Sequence, residues 1–113
     1  MIDENPANDP TREWVTGGPD VAFDARALLR KIDSNGQGLV RYLAERAGSP
    51  VATQAIATDL GVSTQSIEDC AAWINKLAEA LGYVPLVIWS GVGLLITTDA
   101  AVVARQGLIN AQR

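Results

Sequence analysis

The chain has 113 residues and a mass of 12.0 kDa, with 48% hydrophobic and 19% charged side chains. That size buries roughly two-thirds of the unfolded surface in one domain, so a core forms without staples and a wholly disordered chain is excluded. A single cysteine, Cys70, rules out an internal disulfide. The absence of histidine removes imidazole-activated nucleophiles, the usual zinc sites and an imidazole pH switch.

The net charge is −4, and its distribution matters more than its sum. Residues 1–24 carry six acids against Arg12 alone, whereas residues 25–113 carry seven acids and eight bases. The acidity therefore belongs to the N-terminal end. Residues 1–20, with Pro6, Pro10, Gly17, Gly18 and Pro19 and few apolar side chains, read as an acidic flexible arm before a domain at 21–113. The arm either solubilises the chain or covers a basic patch. Trp14 is the exception within it and docks on the body or on a partner. No charged-then-apolar leader opens the chain, which reads as cytoplasmic.

Asp20 suits the N-cap of a first helix to about Ile32, with Val21, Ala25, Leu28, Leu29 and Ile32 on one face. The run Asp33-Ser34-Asn35-Gly36 then reads as a break. A second helix is predicted from about Gln37 to Ala47, closed by Gly48 before Ser49-Pro50. Thr53 suits the cap of a short third helix with Ile56, Ala57 and Leu60 inward, and Gly61 suits a positive-φ turn. Ser63 then caps a long helix over 63–81, whose stripe is Ile67, Cys70, Ala71, Ile74, Leu77, Ala78 and Leu81. Cys70 reads there as a small buried hydrophobe.

After Gly82 two β-rich apolar runs, 83–89 and 94–97, flank the Gly-containing turn Ser90–Gly93 and predict an antiparallel hairpin. Pro85 belongs at a strand end or edge. A last helix is predicted from near Thr98 to near Gly107. Residues 80–98 carry no charge, but Gly82, Pro85, Ser90, Gly91 and Gly93 oppose a continuous membrane helix.

Two short helices joined by a tight turn and followed by a hairpin resemble the winged helix-turn-helix superfamily. The stretch that carries the resemblance is residues 54–67, with the small Ala57, the turn Gly61 and the branched Ile67 at the family's offsets. It extends over roughly residues 37–107. The implied fold is mostly α with a small antiparallel hairpin: a three-helix core and a wing, with extra N-terminal and C-terminal helices. The resemblance also implies that helix 63–81 enters a DNA major groove with its first residues at the base edges. Ser63, Thr64, Gln65, Glu68 and Asp69 would then read the duplex, with Gln65 suited to adenine and the acids to cytosine N4. Arg41 and Arg46 would reach phosphates, and a homodimer would present two such helices. Ser63 equally serves as a cap alone, the two acids as favourable charge in a helix's first turns, and the arginines as a solvated face.

The electrostatics oppose this. Residues 49–82 carry four acids against Lys76 alone, and the turn 90–93 has no base. The competing reading is a winged helix that binds a protein rather than DNA, through Trp73, Lys76 and Trp14. A basic groove would favour DNA, and an apolar patch at Trp73 a partner. No catalytic constellation, metal-ligand cluster or cofactor motif is present, so the chain reads as a non-enzyme without a cofactor.

Overall fold

The computed structural model describes residues 11–18 and 20–112. Its elements, in chain order, are α1 (Val21–Arg30), α2 (Ser34–Glu45), α3 (Thr53–Leu60), α4 (Thr64–Ala80), β1 (Ile88–Trp89), β2 (Leu94–Leu95) and α5 (Thr98–Ala111). The described chain is thus mostly helical with one small antiparallel sheet.

Helix α4 forms where its apolar stripe is longest. Ile67, Ala71, Ile74 and Ala78 are buried at three- and four-residue spacing. The Ser63 side chain accepts a hydrogen bond from the Ser66 N–H at 3.0 Å, satisfying one of the first-turn donors. Upstream, Gly61 takes φ +71°, the left-handed region that ends α3, and the Val62 N–H closes the turn onto the Ala57 carbonyl.

Three helix boundaries, and the capping at Asp20, differ from the sequence expectation. The run 33–36 does break the chain, but Asp33 also begins the next helix: its side chain accepts from the Gly36 N–H at 2.8 Å, and α2 starts at Ser34 rather than Gln37. A residue type that disfavours helix interiors is a good cap for the helix that follows. Asp20 does not cap with its side chain, since its backbone lies at φ 66°. Thr53 is the first residue of α3 and Ala52 occupies the cap, with no side-chain bond. Helix α5 runs through Gly107 to Ala111 because Gly107 is the contact point of a helix crossing. A Cβ there would meet the Leu29 side chain at 2.7 Å and Ala25 at 3.2 Å.

The hairpin pairs Ile88 with Leu95 and Trp89 with Leu94. Its strands are shorter than the expected runs. On its other side β2 meets Val51, whose N–H and carbonyl both bond Leu94 at 2.9 Å. The first half of the expected strand, residues 83–87, is held by a side chain instead. Asn75 Oδ1 accepts from the Leu86 and Val87 N–H groups at 2.9 and 3.0 Å, and its Nδ2 donates to the Val87 carbonyl at 2.8 Å. This fixes the hairpin to α4.

Helices α1 and α2 both pack on α5, and α3 packs on α4. One core joins these layers through Leu28, Leu39, Leu43, Ile56, Ile74, Tyr83 and Ile96. The segment expected to be a flexible arm divides at residue 11. Residues 1–10 and Pro19 lie outside the described residues. Residues 12–15 are part of the body: Arg12 pairs in parallel with Tyr83, its N–H donating to the Gly82 carbonyl and its carbonyl accepting from the Val84 N–H. Arg12 also forms an ion pair with Asp24 at 3.3 Å. None of the described helices is long and apolar enough to cross a membrane.

Candidate nucleic-acid interface

The first two turns of α4 carry the residues singled out for base reading. Ser63, Thr64, Gln65, Glu68 and Asp69 are all exposed, so no other described element covers them. Their spacing on a 3.6-residue helix puts 64, 65, 68 and 69 on adjoining faces. Three are already engaged locally. Ser63 spends one lone pair on the cap, and Gln65 Nε2 donates to Asp69 Oδ1 at 2.9 Å, one turn along. The Gln65 amide oxygen and the Glu68 carboxylate have no hydrogen-bond partner among the described residues.

Arg41 is exposed on α2, outside the buried stripe of Leu39, Val40 and Leu43. Arg46 is anchored at the end of α2. Its guanidinium stacks 3.7 Å from the Tyr42 ring centre, donates to the Tyr42 carbonyl at 3.0 Å and lies 3.8 Å from Glu45. The Tyr42 hydroxyl in turn donates to Asp59 Oδ2 at 2.5 Å, tying α2 to the last turn of α3. That bond, followed by burial, pushes the Tyr42 pKa up. Arg46 is therefore held beside the α3–α4 segment, and its charge is shared with Glu45 and a ring face. No lysine or arginine occurs between Arg46 and Lys76.

The partner-contact residues separate. Trp14 is buried, at 3% exposure, with its Nε1–H donating to the Val84 carbonyl at 2.9 Å. It is a core residue and cannot meet a partner without the body opening. Trp73 is 49% exposed, and Lys76 is exposed one turn further along α4. Cys70 is only half-buried rather than enclosed, and burial, aided by the nearby charges of Asp33 and Asp69, pushes its thiol pKa up.

Between α4 and the hairpin runs a groove of about 530 Å³. Its walls are Ala72 and Asn75 on one side and Pro85, Ile88 and Trp89 on the other, with Glu68 at one end. Trp89 is 62% exposed. The adjoining turn presents an exposed Val92 and no charge.

Sequence reasoning missed three residues that shape this site. Asn75 positions the hairpin, and its only signal was a polar side chain beside the buried stripe of α4. Tyr42 and Asp59 join α2 to α3, which no periodicity reveals because the pairing is tertiary. Among the described residues no three Cys, Asp or Glu side chains stand together as a metal site. Comparison with protein-family models, with curated proteins and with solved structures found no match in any of the three.

Proposed function

We propose that the chain is a winged helix-turn-helix protein that binds duplex DNA, with α4 as its reading helix and the β1–β2 hairpin as its wing. The order α2, α3, α4, hairpin is compatible with that fold. The observation that carries the reading is the uncovered start of α4, where Thr64, Gln65, Glu68 and Asp69 stand exposed behind a left-handed glycine turn. Gln65 has the two-headed amide that adenine N6 and N7 require, and the acids accept from cytosine N4. Phosphate attraction at this face is weak, so affinity rests on base contacts, on Arg41 and Arg46, and on the doubling that a homodimer supplies.

The charge distribution and the groove favour a second reading, a winged helix that binds another protein. The apolar walls beside Trp89, and the half-exposed Trp73 on α4, have the composition of interface cores. One experiment separates the two. Fluorescence anisotropy of the full-length chain against mixed-sequence duplex, followed by selection from a random duplex pool at low salt, tests the DNA reading directly. Enrichment of a common site, lost in Gln65→Ala, supports it. No binding at tens of micromolar and no enrichment transfers the function to the protein-partner reading.

A further inference from the structure

The flank of α4 away from the hairpin meets the α1–α2 corner at a second cleft of about 310 Å³. Trp73 forms one wall, half-exposed, and Ile74 and Ile32 lie beneath it. Asp69, one helical turn before Trp73, and Asp33, at the start of α2, place two carboxylates along the rim. Each has one donor within the fold: Asp33 accepts from the Gly36 N–H and Asp69 from Gln65. An ionised carboxylate accepts about four hydrogen bonds, so both keep most of their capacity. Neither takes part in either of the two ion pairs found among the described residues. Both carboxylates line the same cleft as the Cys70 thiol. Among the described residues Lys31 is the one cation lining the cleft, and it forms no ion pair with another of them.

We propose that this cleft receives an arginine side chain of a partner protein, stacked on Trp73 between Asp33 and Asp69. A volume near 300 Å³ is at the low end for small-molecule pockets and suits one long side chain. An indole face attracts a cation, and carboxylates complement its charge. Arginine fits better than lysine because its planar fork bonds two carboxylates while its flat face stacks. The proposal rests on the protein-partner reading and names the partner's chemistry. It uses a different flank of α4 from the groove beside Trp89, so the two fail separately.

The three tryptophan indole N–H signals give the readout. The ¹⁵N-labelled full chain is titrated with acetyl-Gly-Arg-Gly-amide, with its lysine and citrulline counterparts, and with spermidine. Saturable shifts of the Trp73 indole and the Cys70 amide are expected with the arginine peptide, weaker with lysine and absent with citrulline. Asp69→Asn should weaken binding about threefold, the size of a partly exposed ion pair. Lys31→Ala, which removes a repelling charge, should tighten it, an effect opposite to that of general destabilisation. No saturable shift at tens of millimolar overturns the proposal, as do equal shifts with citrulline or tighter binding of spermidine. Shifts confined to Trp89 overturn it too, while leaving the partner groove standing.

Discussion

The indole of Trp14 lies on the phenol ring of Tyr83, with ring centres 4.0 Å apart and planes 16° from parallel. Arg12 also reaches that ring, its guanidinium 4.3 Å from the centre, and the Tyr83 hydroxyl donates to Asp24 at 2.8 Å. A short N-terminal segment, the loop after α4 and the start of α1 are thereby joined by one ring. This places part of the nominal arm inside the fold.

Replacing Trp14 with alanine should cost about 3–5 kcal/mol, the range for a large aromatic deleted from a core. Urea unfolding measures it. A loss below about 1 kcal/mol would mean the segment is merely laid on the surface.

Alkaline pH should weaken the fold through Tyr83. Burial first, and then the bond to Asp24, pushes its pKa up to about 12. An unfolded tyrosine titrates near 10. Below pH 10 both states hold the proton and the full contribution is present. Between 10 and 12 only the unfolded state releases it, so stability falls as pH rises. Urea midpoints for wild type and Tyr83→Phe between pH 8 and 11.5 check this: the wild type should lose stability more steeply. Parallel curves would falsify the assignment.

Asn75→Ala should loosen the hairpin without unwinding α4. It leaves the Leu86 and Val87 N–H groups and the Val87 carbonyl without their side-chain partner, at about 1–3 kcal/mol for each group that water cannot reach. Amide hydrogen exchange is the appropriate probe. Faster exchange at residues 86–89, with residues 67–78 still protected, is the expected pattern; uniform loss of protection throughout α4 contradicts it.

Gly93→Ala should displace the hairpin turn. A Cβ at this position would collide with the Val51 carbonyl group and come within 2.9 Å of the Ala52 nitrogen, and both obstacles are backbone. Overpacking of this kind costs about 1–3 kcal/mol. The Val51–Leu94 bonds should weaken together, visible as new amide shifts at both residues. An unchanged spectrum counts against so close an approach. Gly61→Ala makes a useful contrast, because nothing lies within 4 Å there and its cost is the left-handed backbone alone.

The readable parts were those governed by near neighbours in the chain. The stripe from Ile67 to Ala78 is a local period, Ser63 is a local cap, and Gly61 is a local turn requirement. Each appears in the structure where the residue types place it. Reading Asp33 as a breaker rather than a cap misplaced the start of α2 by three residues. The two roles share one side-chain chemistry, and only the direction of the following chain separates them.

The five helices, the hairpin between the last two and the concentration of acid at the N-terminal end follow from the amino-acid order alone, because periodicity, caps and turns act over a few residues. Which apolar side chains become core and which become surface does not. Trp14, Trp73 and Trp89 are equally hydrophobic in the sequence, yet one is enclosed and two are exposed. That outcome depends on pairings such as Trp14 with Tyr83, Tyr42 with Asp59 and Asn75 with Leu86 and Val87. Each joins residues more than ten positions apart, and only the packed chain brings them within reach.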